Sequence, residues 1–192
     1  EMKIDIYNAC SNLMFRWANV RCNPSTSPSV LEAGEYSFTL KAALRIGSTV
    51  YPISFPSGRT VTVAPDAIVE SLPLGITIPA NTTAYLRWFI EFSTAPVNWP
   101  LGTRYNTNGW QEFGTSLTDI VDSNTPRYTA GTNMTVLPPY QITGKTARKL
   151  AFEIMGDSAS ADGSNDSFAY NTGWSQRALH AAQIPFITNG AS

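Results

Sequence analysis

Apolar and polar residues alternate along much of the first three quarters of the chain. Residues 36–41 (YSFTLK) and 60–63 (TVTV) follow a two-residue period, which is typical of strands with one buried and one exposed face. Residues 67–71 and 75–78 predict two more short strands, and the apolar-rich run at 84–92 predicts the longest strand.

Glycine-containing pairs separate these segments. Gly47-Ser48 lies between the apolar segments 43–46 and 49–51, and it predicts a two-residue type II′ hairpin because glycine accepts the positive φ at the first turn position. Turn signals at spacings of about eight to twelve residues, with no helical period between them, favour a sandwich or jelly roll. We therefore predict an antiparallel, jelly-roll-like β-sandwich for residues 1–145.

The pattern changes after this segment. Residues 149–155 predict an apolar strand, 173–183 predict a helix, and 184–187 predict a second strand. This order forms a βαβ unit, which implies a parallel pair and a right-handed crossover. One such unit has too little partner surface to be stable alone, so we predict that residues 146–192 begin an α/β domain that is incomplete here. The predicted fold class is thus mainly β, with the first βαβ unit of an α/β domain at its end.

Composition excludes several classes of function. Thirteen Lys and Arg residues balance fourteen Asp and Glu residues, for a net charge of -1, so there is no basic excess for nucleic-acid binding. No apolar run is long enough to span a membrane. A hydrophobic fraction of 43% supports a folded core, and a charged fraction of only 14% suits extracellular or virion-associated proteins, where we expect this one.

Cysteine and histidine are scarce. Cys10 and Cys22 are close enough in sequence to close a small disulfide loop, and two independent buried thiols are the alternative that the sequence leaves open. With His180 as its single histidine, the chain cannot assemble a four-ligand Cys/His zinc site. We expect neither a metal nor a cofactor.

A Gly-Asp-Ser tripeptide follows the first predicted strand of the βαβ unit. In open α/β sheets, ligands bind beyond the carboxyl ends of strands, where backbone N–H groups of a turn can stabilise an oxyanion. Ser158 is therefore a candidate nucleophile, which would need a histidine and a carboxylate to activate it. Asp157 is placed to fix the turn through backbone N–H groups. The same tripeptide also forms ordinary turns, so its spacing alone leaves both interpretations open.

The wider context resembles a known family. Residues 152–160 (FEIMGDSAS), followed by GWSQRAL at 173–179, resemble the opening of SGNH (GDSL-type) hydrolases. Residues 61–82 are similar to the β-sandwich that precedes the hydrolase domain in many bacterial and phage-encoded members. The resemblance implies a serine esterase that hydrolyses O-acyl esters without a metal, and O-acetyl groups of glycans are the expected substrates.

The resemblance also implies roles for single residues. Ser158 would be the nucleophile that forms the acyl-enzyme. The N–H groups of Ser158 and Gly190 would form the oxyanion hole. Gly156 and Asp157 would stabilise the turn that follows the strand.

The chain departs from the family pattern in three ways. Ala159 stands where the family has a bulky apolar residue, and Asp162 stands where it usually has glycine. The late Asp-x-x-His block has no counterpart, and His180, on the predicted helix, does not match the position of the family base. We therefore expect the base to come from residues outside this sequence or from a second polypeptide, which would also complete the α/β sheet.

A non-catalytic function is the alternative. Trp99 and Trp110 lie in a long segment with little strand pattern, residues 93–127. Their aromatic faces could stack on sugar rings, or they could pin this segment to the sandwich. The protein would then be a glycan-binding or structural protein of a surface or virion, and the Gly-Asp-Ser segment would be a relic.

Overall fold

Antiparallel strands make up most of the described structure. A computed structural model describes residues 1–23, 30–95, 102–103, 117–124, 135–136, 139–147, 152–156 and 186–190. Within these ranges the chain forms strands and turns and contains no helix. The predictions of a mainly β fold and of antiparallel sheets are confirmed.

The larger sheet has five strands. Its hydrogen-bonded order is β1-β10-β5-β6, and β7 also pairs with β5; every pair is antiparallel. These strands are β1 (Met2–Ile6), β5 (Phe38–Ile46), β6 (Thr49–Ile53), β7 (Thr60–Val63) and β10 (Thr82–Phe92). Residues 38–41 of the predicted run 36–41 and the run at 43–46 thus belong to one continuous strand, β5, and Tyr36 and Ser37 precede it. Between β5 and β6, Gly47 has a φ of 57° and Ser48 does not share the positive φ, as the type II′ hairpin requires.

The second sheet has four strands. Its order is β13-β2-β8, and β9 also pairs with β2; these pairs are antiparallel too. The strands are β2 (Cys10–Ala18), β8 (Ile68–Glu70), β9 (Leu74–Ile78) and β13 (Gln141–Thr146). β13 ends one residue beyond the predicted domain boundary at 145.

Three two-stranded pairs complete the described strands. Two are antiparallel: β3 (Val20–Asn23) with β4 (Val30–Ala33), and β11 (Gly102–Thr103) with β12 (Thr135–Val136). The third is parallel and joins β14 (Phe152–Gly156) to β15 (Phe186–Gly190). β15 continues to Gly190, three residues past the predicted strand end at 187, because its ladder with β14 runs that far.

One hydrophobic cluster contains residues of both large sheets. Side chains that alternate along β2, Leu13, Phe15 and Trp17, contribute from the second sheet, and Leu40, Leu44 and Leu86 contribute from the first. Phe55, in the tight turn after β6, packs its ring edge-on against Trp17 with centroids 5.8 Å apart. Burial of this apolar area is the main stabilising contribution.

A buried polar residue fixes the junction between β2 and β3. Asn19 is 0% exposed, and its Nδ2 donates hydrogen bonds to the carbonyls of Tyr36 at 2.9 Å and Val63 at 3.0 Å. Its backbone N–H and carbonyl bond to three further residues, Gly34, Asp66 and Ala67. The side chain and the backbone of this one residue therefore link the segments that lead into β5 and β8 to the end of β2.

Candidate functional site

The carboxyl ends of β14 and β15 lie side by side. The parallel register pairs Phe152 with Phe186 at one end and Gly156 with Gly190 at the other. Both predicted glycines of the site are therefore the last residues of neighbouring strands. A parallel pair requires a crossover of about a dozen residues or more, and residues 157–185 are long enough for one that contains a helix.

Several predicted residues lie outside the described part of the chain. Within the Gly-Asp-Ser motif only Gly156 is described, so the positions of Asp157 and Ser158 remain predictions. The same holds for the predicted helix at 173–183 and for the aromatic candidates Trp99 and Trp110. The complete βαβ unit is likewise still a prediction.

A cluster of two arginines and a tyrosine lies on the outer face of the larger sheet. Arg45 on β5 stands opposite Tyr85 on β10, and Arg87 lies two residues further along β10. Successive side chains of a strand point to opposite faces, so these three share the face that points away from the core residues Leu44 and Leu86. The two arginine side chains are nevertheless only 7% and 5% exposed.

The carboxylate of Glu1 bridges the two arginines. Its Oε1 accepts a hydrogen bond from Nη2 of Arg45 at 3.3 Å, and its Oε2 accepts one from Nε of Arg87. Arg45 also donates from Nη1 to the carbonyl of Gly47 at 2.9 Å and lies 4.3 Å from the ring centroid of Tyr85. We call Arg45 and Arg87 the arginine clamp.

The α-amino group of Glu1 lies beside this cluster and is largely buried. Burial lowers the pKa of the α-amino group of Glu1 to about 6; its own carboxylate opposes this shift, and Arg87 adds to it. The amino group is therefore mostly neutral at pH 7.

An acidic segment, residues 117–124, crosses the same outer face; we call it the acidic strap. Asp119 and Asp122 accept contacts from Nζ of Lys41 at 2.6 and 2.7 Å, and Asp122 also meets Nη2 of Arg59 at 2.5 Å. Val121 is 3% exposed. Partial burial raises the pKa of Asp122, but the hydrogen bonds and charges of Lys41 and Arg59 outweigh it, so that pKa lies below its usual value.

The stability of the strap contacts is expected to depend on pH. Because the pKa of Asp122 in the folded protein is below the reference value of 3.8, its ion pairs stabilise the fold above that value and are lost as the pH falls through the folded pKa. Asp122→Asn removes this dependence. The free energy of unfolding of the variant should lie below that of the original chain at pH 5, by under about 1 kcal/mol because the pair is partly exposed.

The difference in the free energy of unfolding between the original chain and Asp122→Asn should vanish towards about pH 2. There Asp122 is protonated, so neither protein carries a negative charge at this position. Urea unfolding of both proteins across this range measures it. Asp66→Asn is the matched control, because Asp66 is exposed and forms no ion pair among the described residues. A difference that stays constant with pH would show that Asp122 acts through packing and not through its charge.

A different polar row lies on the outer face of the second sheet. Arg16 donates from Nε to Glu70 and from Nη1 to Gln141, each at 2.8 Å. Tyr140, next to this row, is 51% exposed, and its backbone N–H donates to the carbonyl of Arg16 at 3.0 Å. An exposed aromatic ring beside fixed polar groups is suited to contact a sugar.

Cys10 is a free, half-buried thiol, so the structure shows the thiol and not the disulfide alternative for this residue. It lines a shallow surface depression of about 260 Å³ together with Thr77 and Lys145. Burial raises the pKa of the thiol. A raised pKa leaves less thiolate at neutral pH, so Cys10 is not an activated nucleophile.

Comparison with models of known protein families and with curated proteins gave no match. The likeness to SGNH hydrolases therefore rests on the residues quoted for it above. Among the described residues, no helix has the length and apolar character needed to cross a membrane. No cluster of three or more potential His, Cys, Asp or Glu metal ligands occurs in that part of the chain.

Proposed function

We propose that this chain is part of an SGNH-like serine esterase that acts on O-acyl esters, with O-acetyl groups of glycans as the substrate class. A jelly-roll-like β-sandwich formed by the two large sheets would precede the catalytic α/β domain. The observation that carries the proposal is the parallel pairing of β14 and β15, because it brings Gly156 and Gly190 together at one edge.

This arrangement supports a shared oxyanion site. Neighbouring strands are about 4.8 Å apart, so a turn that follows Gly156 begins within one strand spacing of Gly190. Two backbone N–H groups at that separation can donate to a single oxygen atom. Ser158 follows Gly156 by two residues, which suits it to present its hydroxyl beyond the edge of the sheet.

The proposed reaction proceeds in two steps through Ser158. Its Oγ attacks the acyl carbonyl carbon while a base removes the hydroxyl proton, and the carbonyl electrons move onto the oxygen, which the N–H groups of Ser158 and Gly190 stabilise. Collapse breaks the ester C–O bond, and the protonated base returns its proton to the leaving alcohol. Water then attacks the acyl-serine with the same base, which releases the carboxylic acid and restores Ser158.

The base is proposed to lie outside this sequence or in a second polypeptide. His180 is the single histidine of the chain, and its position does not correspond to that of the family base. The same additional residues would complete the α/β sheet, since two strands alone leave exposed edges that favour further pairing. An extracellular or virion-associated location, where acylated glycans occur, belongs to the same proposal.

Covalent labelling tests the proposal. A fluorophosphonate reacts with an activated serine and not with ordinary ones, so incubation of the natural protein should add one label, located at Ser158 by peptide mass spectrometry. Ser160 and Ser164 are the internal controls, because they lie nearby in sequence and should stay unlabelled. An unlabelled Ser158, under conditions that label a reference serine esterase, would contradict the proposal.

Glycan binding without catalysis is the second candidate. The observation that favours it is the exposed Tyr140 beside the row formed by Arg16, Glu70 and Gln141. This surface lies on the antiparallel part of the fold and does not depend on Ser158. It would be the function to pursue if the labelling experiment fails.

A further inference from the structure

Two polar rows lie on the outer face of the second sheet. The first is the row around Arg16 described above, in which the guanidinium group is held from both sides at 2.8 Å. In the second row, the register places Ser11 of β2 between Thr77 of β9 and Lys145 of β13. We call the two rows together the polar strip.

A bulge in β2 puts both rows on the same face. The register pairs Met14 with Thr143 and Ser11 with Lys145, so between these pairs β2 has one residue more than β13. Asn12 lies in this interval with a φ of 53°, a conformation that asparagine tolerates better than most residues. Side chains alternate between faces along a regular strand, and one extra residue reverses the alternation. Ser11 therefore shares the outer face with Met14.

The burial of neighbouring residues agrees with this reversal. Cys10 packs against the hydrophobic core, and its partner in β9, Ile78, is fully buried. The two partners of Ser11 are exposed instead. The bulge thus extends the polar strip along β2, over about 15 Å from Arg16 to Ser11 at about 3.3 Å per residue.

The two rows differ in charge. In the first row, the guanidinium group of Arg16 pairs with the carboxylate of Glu70, so this row is neutral. Lys145, in the second row, has no ion-pair partner among the described residues. Its side chain lines the shallow depression beside Ser11 and Thr77. The polar strip therefore carries a positive charge at one end that a ligand can neutralise.

The groups of the polar strip suit a sugar chain. Sugar hydroxyl groups both donate and accept hydrogen bonds, and the hydroxyls of Ser11 and Thr77 do the same. The paired side chains of Arg16 and Glu70 place a donor beside an acceptor. Tyr140, 51% exposed next to the first row, offers an aromatic face for one ring. A surface with so many polar groups is not suited to an apolar protein partner.

We propose that the polar strip binds an acidic glycan along β2. One sugar ring stacks on Tyr140, its hydroxyl groups bind the row around Arg16, and the carboxylate of a later sugar pairs with Lys145. The inference rests on the second candidate function, glycan binding, and adds to it the class of ligand and the residue that recognises its charge. It does not depend on Ser158.

Binding of tetragalacturonate and of its methyl ester tests the inference. The two ligands contain the same sugars, and esterification removes the charge of the carboxylates. At low ionic strength the acid should bind the original chain about three- to five-fold more tightly than the ester, as one exposed ion pair allows. The preference should disappear in about 1 M salt, where charges are screened within about 3 Å. Titration followed by NMR chemical shifts measures both dissociation constants.

Lys145→Gln is the decisive variant, and it should fold normally because the side chain is exposed. It should bind the acid no more tightly than the ester, with the affinity for the ester unchanged. Lys3→Gln is the matched control: it removes the same charge from the larger sheet, where Lys3 pairs with Asp5, so the preference should persist. Equal binding of acid and ester by the original chain, or a preference that survives Lys145→Gln, would overturn the inference.

A second variant separates this inference from the glycan-binding function on which it rests. Tyr140→Ala removes the ring and should weaken the binding of both ligands by about ten-fold, whereas Tyr140→Phe keeps the ring and most of the affinity. If neither ligand binds the original chain, or if Tyr140→Ala binds both as tightly, glycan binding on this face is wrong and the inference with it. If Tyr140→Ala weakens both ligands but acid and ester bind equally, glycan binding stands and only the acidic ligand class is wrong.

Discussion

Ser158→Ala is expected to lower kcat/KM for the hydrolysis of an O-acyl ester by about 10⁴-fold or more, because removal of a serine nucleophile eliminates the acyl-enzyme route. The residual rate would come from substrate binding and the oxyanion site alone. The natural protein and its variant are compared with an acetylated glycan and with 4-nitrophenyl acetate. Because the change deletes one hydroxyl group in a Ser-rich segment, the melting temperature should stay the same.

Two further variants make this result specific. Ser160→Ala removes the same hydroxyl two residues later and should leave turnover unchanged. His180→Ala should also leave it unchanged, because the proposed base lies elsewhere. A Ser158→Ala variant with full activity would remove this serine from the mechanism, and a His180→Ala variant with little activity would place the base within this chain.

The sequence predicted those strands and turns whose conformation depends on a few contiguous residues. The hairpin of β5 and β6 follows from the alternation in Phe38–Ile46 and from a glycine that takes a φ of 57°. β10 follows from one long apolar-rich run. In each case the signal and the structure lie within the same few residues, so no knowledge of distant partners is needed.

Pairing between distant segments could not be predicted in this way. β1 pairs with β10, about eighty residues away, in the register of Met2 with Leu86. β2 carries a clear alternation of buried residues at Leu13, Phe15 and Trp17, but the sequence before residue 35 contains a single glycine, so no turn signals mark the ends of this strand. Nothing in that stretch of sequence specifies that β8, β9 and β13 all pair with β2.

The β14–β15 edge and the arginine clamp also differ in whether a sequence pattern predicts them. The parallel pair that ends at Gly156 and Gly190 was predicted from the order strand, helix, strand, and the role of Gly190 came from the family resemblance. The arginine clamp was not, since Arg45 and Arg87 are single charged residues inside apolar runs, and Glu1 lies 44 and 86 residues away from them. A lone arginine within a predicted strand is a signal that could have prompted a search for a buried counter-ion.

Asn19→Asp is expected to be the most destabilising single-atom exchange in the described structure. Both N–H groups of the Asn19 amide are used, toward the carbonyls of Tyr36 and Val63 at 2.9 and 3.0 Å. In the variant a carboxylate oxygen would face these two carbonyls at a position that is 0% exposed. An uncompensated buried charge of this kind costs about 3–5 kcal/mol, which is a large part of the total stability of a domain.

The surroundings of residue 19 leave no room for the carboxylate of the variant to move away from the two carbonyls. A Cβ atom placed on Gly34 would come within 1.7 Å of Oδ1 of Asn19, so the backbone at Gly34 closes the other side of the amide. The carboxyl group of the variant can therefore only avoid the charge by binding a proton. Its pKa in the folded protein would rise above the unfolded value, so the penalty is full at neutral pH and decreases as the pH falls towards about 4.

Urea unfolding at pH 7 and pH 4 separates this electrostatic cost from a packing defect. Asn81→Asp is the matched control, because it is the same chemical exchange at an exposed position. Asn81 lies in a turn with a φ of 57°, a conformation that aspartate also accepts. The control should shift the free energy of unfolding by no more than about 0.5 kcal/mol. If Asn19→Asp behaved like Asn81→Asp, the buried amide could not be the junction that joins β2 and β3 to the loops around them. An equal loss of stability at both pH values would instead show a packing defect and contradict the buried-charge explanation.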